Sequence, residues 1–275
     1  LAKHLDMRYH TLCTDLDGTL LALKNRPSDF TAAVFKKYAS QIKIILVSAR
    51  MPSGMRYIQE TLGILDQPII CYNGALVMEG EQLISSYTIP VKLLKEVATI
   101  CALHQTDMGL YSYDQWRAPR QSERVTKEEF NTQTQVVLEP TQTTLERWEF
   151  ENRGGHKIML MGTYASANLV QEILEKEFKN KLDIYRSNDT LIEISPAGVD
   201  KLKGIKALLG PETSLSGVMA FGDNYNDISM LQGVGLGVAM ENERPELKEI
   251  ADQQAKACAA DGVAHFLEQY FNTEI

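Results

Sequence analysis

The residues of this chain best suited to chemistry stand in short polar clusters with definite spacing. Asp15 and Asp17 lie two apart in Asp15-Leu16-Asp17-Gly18-Thr19, so in an extended segment both side chains can point the same way. Asp223 and Asp227 lie four apart in Gly222-Asp223-Asn224-Tyr225-Asn226-Asp227, where a helix is expected to begin and the helix dipole favours carboxylates. Gathered carboxylates repel one another unless a cation sits among them. An all-oxygen ligand set without His or Cys suits Mg²⁺ rather than zinc. A phosphoryl group then fits such a site: the metal takes a phosphate oxygen, and one Asp attacks phosphorus to form an aspartyl-phosphate.

The elements around these clusters read as strands and helices in alternation. His10–Thr14 is a short β-prone run that ends at Asp15, and a helix follows from Ser28 or Asp29, either able to cap it, to about Ala39. Lys43–Val47 is a continuous apolar strand of the kind buried on both faces, ending at Ser48-Ala49-Arg50. A helix over Pro52–Leu62 and a strand over Pro68–Cys71, ahead of Asn73-Gly74, complete a βαβαβ rhythm that implies a parallel sheet with helices on both faces. The rhythm returns near the end of the chain. Leu191–Ser195 is read as a strand, Asp200–Leu208 as a helix, Val218–Phe221 and Val234–Ala239 as strands, and 245–251 and 262–271 as helices. Open α/β sheets bind ligands beyond the carboxyl ends of their strands. Asp15/Asp17, Ser48/Arg50, Asn73 and Asp223/Asp227 all fall there, a coincidence weightier than any one motif. Taken singly, each has a plainer reading: Asn73-Gly74 is equally a hairpin turn, Ser48 a helix cap, Asp227 a solvated first-turn acid.

Between these halves the pattern changes. Ala75–Met78 and Gln82–Thr88 flank Glu79-Gly80-Glu81 as a hairpin, and Pro90–His104 and Ala165–Phe178 read as helices. Gly109–Tyr113, His156–Met161 and Leu182–Tyr185 read as strands, while residues 119–155 give little signal. The expected organisation is a doubly wound, Rossmann-like core over residues 1–81 and 189–275, interrupted by a separate α/β unit over 82–188. A length of 275 residues accommodates that division, and a net charge of −8 argues against nucleic acid or an anionic membrane as partner. Cys13, Cys71, Cys101 and Cys258 form no C-x-x-C pair and read as core residues of a reducing compartment. With no apolar run long enough to span a bilayer and no visible signal peptide, the chain is expected to be cytoplasmic. Its first residue is Leu1 and Met7 stands just before the first strand, so residues 1–6 read as an appended remnant.

Asp15-Leu16-Asp17-Gly18-Thr19-Leu20 with Gly222-Asp223-Asn224-Tyr225-Asn226-Asp227 downstream resembles the haloacid dehalogenase superfamily. Asn73-Gly74-Ala75, and Ile192-Glu193-Ile194-Ser195-Pro196 followed by Lys201, are similar to its Cof-like sugar-phosphatase branch. The likeness covers about 1–80 and 190–275, and the middle unit corresponds in position to that branch's cap domain. The resemblance implies a magnesium-dependent phosphatase for a small phosphorylated metabolite, with Asp15 as nucleophile and metal ligand. Asp17 would be the acid/base, its backbone carbonyl also touching the metal. Ser48 would bond the phosphoryl oxygens, Asp223 would bind the metal, and Asp227 would reach it directly or through water. Asn73 and Arg50 are further candidates for substrate binding. Two positions depart from the pattern: Ala49 replaces a common Gly, and Glu241 stands where Gly is frequent, which argues against a phosphate-proximal Asn242.

Two lysines compete to offset the negative charge, Lys201 and Lys203. Two residues along a helix turn a side chain by roughly 200°, so both cannot face the site, and Lys201, nearer the strand end, is preferred. A phosphosugar mutase using the same core is the alternative function. A phospho-accepting signalling domain would be shorter and would lack an acid/base placed like Asp17, and a catalytically idle binding protein would not need both Asp15 and Asp17. Tyr111, Tyr113, Trp116, Arg117, His156 and Arg186 mark the middle unit's candidates for substrate contact.

Overall fold

The computed structural model describes residues 8–273 apart from Lys24 and Pro211; the reading of residues 1–6 as a remnant lies outside them. Two compact units result. One comprises the chain up to Arg50, Gly54–Ser85 and the chain from Asp200 onward; the other comprises Met51–Ser53 and Ser86–Val199. The first unit opens with β1 (Thr11–Thr14), α1 (Asp29–Tyr38), β2 (Lys43–Val47), α2 (Ser53–Leu62), β3 (Ile69–Cys71), β4 (Leu76–Glu79) and β5 (Gln82–Ser86). The second unit supplies α3 (Val91–Leu103), β6 (Asp107–Ser112), β7 (Gln115–Ala118), α4 (Glu123–Thr132) and β8 (Val137–Leu138). It continues with α5 (Thr141–Phe150), β9 (Lys157–Met161), α6 (Tyr164–Phe178), β10 (Leu182–Asn188) and β11 (Leu191–Pro196). The first unit resumes with α7 (Lys201–Leu209), β12 (Val218–Gly222), α8 (Ile228–Gly233), β13 (Leu236–Met240), α9 (Pro245–Ile250), β14 (Gln253–Ala255) and α10 (Gly262–Thr273).

The first unit is built on a sheet of order β14-β13-β12-β1-β2-β3-β4-β5. Strands β14 through β3 in that order run parallel, and β4 turns antiparallel to β3. Alternate residues of the central strands enter opposite layers, as a doubly covered sheet requires. Cys13, Ile45, Val47 and Ala220 pack with Ile205 of α7 and Met230 and Leu231 of α8. On the other face Phe221 meets Phe266 of α10 edge-on, and Phe271 stacks on Tyr38 of α1 at 4.1 Å. The chain order reverses between β1 and its neighbour β12, so β1 and β12 border the crevice where such sheets bind ligands.

The second unit's sheet has the order β10-β11-β9-β6-β7-β8. One face, carrying Met108, Leu110, Ile158, Leu160, Ile192 and Ile194, packs on Leu94 and Val97 of α3, Leu145 and Trp148 of α5, and Val170 and Leu174 of α6. Residues 119–155, nearly silent in the sequence, form α4, β8 and α5 with the connections between them. Their signal was weak because few side chains are buried: Val125 and Thr132 in α4, Thr144, Leu145 and Trp148 in α5.

Two boundaries differ from the sequence reading for one shared reason. Leu191–Ser195 was expected to resume the parallel core, but β11 lies antiparallel between β10 and β9 in the second sheet. The preceding strand extends to Asn188, leaving only the turn Asp189-Thr190, and a two-residue connection returns a strand antiparallel beside its predecessor. Gln82–Ser86, expected in the middle unit, is likewise tied by the turn Gly80-Glu81 to β4 and forms the edge of the first sheet. The units therefore divide at Ser85/Ser86 and Val199/Asp200 rather than at 81/82 and 188/189. The four cysteines are buried and form no disulfide, and among the described residues no helix is long and apolar enough to cross a membrane.

Candidate active site

Asp15, Asp17, Ser48, Arg50, Asn73, Lys201, Asp223 and Asp227 belong to the first unit, all but Lys201 beyond the carboxyl ends of its parallel strands, whereas Tyr111, Tyr113, Trp116, Arg117, His156 and Arg186 belong to the second. Asp15 directly follows β1, held by its N–H to the Phe221 carbonyl at 3.0 Å, and Asp223 directly follows β12. Gly18 has a φ of +94°, and a Cβ there would lie 2.4 Å from Asp223 Oδ2, so only glycine lets the Asp15–Thr19 loop close on Asp223. Thr19 Oγ1 donates to Asp223 Oδ1 at 2.8 Å. Sequence reasoning quoted Thr19 in the motif without giving it a task; the structure makes it the anchor of Asp223.

Asp227 is wholly buried and its carboxylate accepts three hydrogen bonds. Oδ2 accepts the N–H groups of Asp223 (2.9 Å) and Asn224 (3.0 Å), and Oδ1 accepts from Lys201 Nζ at 2.6 Å. The Asn224 bond is the returning half of a capping box at the turn leading into α8, which explains an acid at this position. Asp227 thus shapes the loop and holds a lysine beside the other two carboxylates. Asp15, Asp223 and Asp227 each bring a carboxylate oxygen within 4.8 Å of the others.

Lys201, the first residue of α7, has a fully buried side chain whose ammonium also meets Asp15 Oδ1 at 2.5 Å. Asp200 caps α7 by accepting the Lys203 N–H at 2.7 Å, so Lys203 enters the helix beyond the residue that reaches the carboxylates. The first turn of α7 sits on the loop after β3. A Cβ at Gly74 (φ +103°) would fall 2.2 Å from the Asp200 carbonyl oxygen, so the Asn73-Gly74 pair admits the helix that delivers Lys201. Asn73 takes left-handed φ (53°) in the turn to antiparallel β4, and its Oδ1 accepts from Asn226 Nδ2 at 3.1 Å. The turn and site readings of Asn73 are therefore compatible.

Ser48, buried at the end of β2, accepts the Arg50 N–H at 3.3 Å. Arg50, expected at the substrate, grips Asp17 with both arms: Nε to Oδ2 at 2.8 Å and Nη2 to Oδ1 at 2.6 Å. The Asp17 carboxylate, so engaged, is not part of the Asp15–Asp223–Asp227 group whose oxygens could share a metal. Asn242 donates to the Gly18 carbonyl at 2.8 Å and accepts the Cys258 N–H at 2.7 Å, so it braces the loop, in keeping with the departure at Glu241.

The electrostatics ask for a cation. Burial raises the Asp15 carboxyl well above the usual range; Lys201 draws it back, while Asp227, Asp223 and Asp17 push it up again. Burial likewise pushes Asp223 up to about 6, against the pull of the Thr19 hydrogen bond. Burial disfavours the Lys201 ammonium, yet Asp15 and Asp227 more than offset this and hold it charged. Four acids, Asp15, Asp17, Asp223 and Asp227, face two cations, Lys201 and Arg50, a deficit that one divalent ion would match. Asp15 Oδ2 and Asp223 Oδ2 have no hydrogen-bond partner among the described residues, and such hard carboxylate oxygens suit Mg²⁺.

Known proteins share this architecture. A profile described as haloacid dehalogenase-like hydrolase matches residues 12–267. A Haemophilus influenzae protein is 30% identical over 274 residues, covering 96% of this chain and 99% of that one. The HMP-PP phosphatase of Yersinia pseudotuberculosis is 25% identical, covering 96% of each chain. The crystal structure of a Thermotoga maritima protein superposes with a TM-score of 0.85 at 27% identity, covering 95% of this chain and 97% of that one. A loop of paired acids at the switch point of a parallel sheet, a buried lysine shared by two of the site's carboxylates and a family match along nearly the whole chain converge: this chain belongs to the haloacid dehalogenase-like hydrolases, as a phosphatase.

Proposed function

We propose that the chain hydrolyses a small phosphorylated metabolite, a sugar phosphate foremost, through an aspartyl-phosphate on Asp15. The observation that carries this reading is the division of labour within Asp15: Lys201 occupies one oxygen, while the other has no partner among the described residues and lies beside Asp223. A carboxylate so oriented can attack phosphorus in line with the leaving oxygen. Asp15 and Asp223, with the Asp17 carbonyl, would hold Mg²⁺, which when bound neutralises phosphate charge.

Lys201 and Ser48 offset and bind the phosphoryl oxygens, and Asn73 shapes the loop beside them. Asp17 gives a proton to the leaving oxygen and later takes one from the water that attacks the aspartyl-phosphate. The unit inserted between β5 and α7 is the cap that selects the leaving group. Its relatives support a small phosphorylated substrate: the Yersinia protein is named for one such compound.

The test is phosphate release from a panel of phosphorylated metabolites in Mg²⁺, joined to acid-quench trapping of labelled phosphate on protein. Wild-type chain should carry label and Asp15→Asn none. Turnover by pure Asp15→Asn, or full activity after exhaustive chelation, would overturn the reading. Appearance of an isomerised sugar phosphate in place of free phosphate would assign the mutase reaction instead.

A further inference from the structure

Arg50 carries an inference beyond these roles. Its side chain is 3% exposed, whereas that of its partner Asp17 is 54% exposed. The guanidinium has no arm to spare for a substrate. Nε and Nη2 hold the two Asp17 oxygens, and Nη1 donates to Tyr57 Oη at 2.8 Å and to the Gly54 carbonyl at 3.4 Å. Tyr57 must in turn donate its only proton to the Asn25 carbonyl, 2.8 Å away, so its oxygen is an obligate acceptor for Arg50. The result is a one-way relay of hydrogen bonds, from Arg50 through Tyr57 to the Asn25 backbone, that fixes the guanidinium plane from behind.

A fixed plane fixes whatever it grips. A two-armed contact between guanidinium and carboxylate sets the rotation of the acid as well as its position. An Asp side chain more than half exposed would otherwise sample several rotamers. Each Asp17 oxygen accepts one hydrogen bond from the fork and keeps a second lone pair directed away from it. Proton exchange with a leaving oxygen or a water needs one such lone pair in a constant place, because a misplacement of about 1 Å costs on the order of 10²-fold in rate.

We infer that Arg50 is a positioning residue, held by Tyr57 and Asn25, which presents Asp17 for proton transfer and does not itself bind the phosphorylated substrate. The inference rests on the reading of Asp17 as acid/base. Loss of positioning should fall on proton donation to the leaving group and leave phosphate binding intact. An aryl phosphate with an activated leaving group needs little protonation, and one with a poor leaving group needs more.

The experiment compares kcat/KM for para-nitrophenyl phosphate and phenyl phosphate in Mg²⁺, together with the inhibition constant of inorganic phosphate, for wild type, Asp17→Asn, Arg50→Ala, Arg50→Lys and Tyr57→Phe. Asp17→Asn comes first: if its loss is equal on both substrates, the acid/base reading itself fails. If that loss is larger for phenyl phosphate, Arg50→Ala should follow it, with a loss of ~10- to 100-fold on phenyl phosphate and only a few-fold on the nitro compound, within the range of general acid catalysis. Inhibition by phosphate should stay within about twofold of wild type, a bound set by the absence of any Arg50–phosphate contact to lose. Arg50→Lys, which retains charge but not the fork, should recover part of the loss.

Equal losses on both substrates with weakened phosphate inhibition would overturn the inference and make Arg50 a substrate ligand. Tyr57→Phe removes one hydroxyl and guards against an Arg50→Ala protein that does not fold. It should show the same leaving-group bias at smaller size, and absence of any bias in a folded Tyr57→Phe protein would also count against positioning.

Discussion

Glu139 in the second unit and Asp15 in the first are both carboxylates largely shielded from water, yet their surroundings are opposed. Glu139 accepts from Arg117 (3.1 Å), Arg147 (2.5 Å) and Thr144 (2.8 Å), so two cations and a hydroxyl satisfy one acid. His156 is similarly settled: Nδ1 accepts the Tyr113 N–H at 3.1 Å, which leaves Nε2–H to donate to Ser86 Oγ at 2.9 Å. Asp15 must share one ammonium with Asp227 and lies near Asp223, and among the described residues no second cation contacts it. Buried polar groups are ordinarily paired, because an unpaired one costs about 1–3 kcal/mol and a charged one more. The second unit obeys that rule at Glu139 and His156. In the first, Asp15 and Asp223 each keep a carboxylate oxygen without a hydrogen-bond partner among the described residues, and that place is where a metal and a phosphoryl group would complete the set.

The contrast breaks most sharply at Asp15. Asp15→Asn should lower phosphate release by several orders of magnitude while removing a like charge from the cluster. Added Mg²⁺ should raise the Tm of wild type by binding the folded form alone, and raise that of Asp15→Asn less, as thermal scans with and without the ion would show. Next comes Lys201. Lys201→Ala leaves two buried acids without their cation and should cost about 3–5 kcal/mol in urea unfolding, the usual penalty for breaking a buried pair. Lys203→Ala should shift stability by less than about 1 kcal/mol, as substitutions away from such networks do.

The second unit gives smaller effects of a different kind. Glu139→Gln weakens three hydrogen bonds without touching the first unit's carboxylates. It should cost about 2–3 kcal/mol, the range for hydrogen bonds to charged groups, with the Mg²⁺-induced rise in Tm preserved. The second unit also carries a pH effect, on His156. Burial, followed by the charge of Arg153, depresses its folded-state value from 6.5 to about 4. The unfolded chain therefore binds the extra proton first. The stability contributed is complete above about pH 6.5 and is lost as pH falls through about 4, by on the order of 2–3 kcal/mol at the limit. Urea titrations across that window should show the slope, and His156→Gln should flatten it.

The other residues singled out in the second unit show why composition alone misleads there. Tyr111 and Trp116 stack at 5.4 Å as a buried cross-strand pair, and Arg117 belongs to Glu139. Arg186 donates to Asn168, Gln171 and the Asp189 carbonyl. Each makes contacts within its own sheet and helices, and nothing in their spacing distinguished such contacts from contacts with a ligand.

Local spacing was sufficient to place Asp15, Asp17, Asp223 and Asp227 beyond strand ends, because period-two apolar runs and capping residues act over a few positions. It was also sufficient to prefer Lys201 over Lys203, since two residues along a helix turn a side chain by roughly 200°. Three things lay beyond it. The side of the division to which β11 belongs depends on a two-residue turn that ties it to β10, hidden by a strand end read three residues short, and the β4–β5 hairpin, legible in the sequence, carried no sign of which side it joins. The pairing of Asp227 with two backbone N–H groups and an ammonium depends on a loop geometry that only the closed fold provides. The grip of Arg50 on Asp17 joins residues 33 positions apart, and a bond of that reach exists only once β1 and β2 lie side by side in the sheet, because chain proximity in space is a product of packing and not of sequence neighbours.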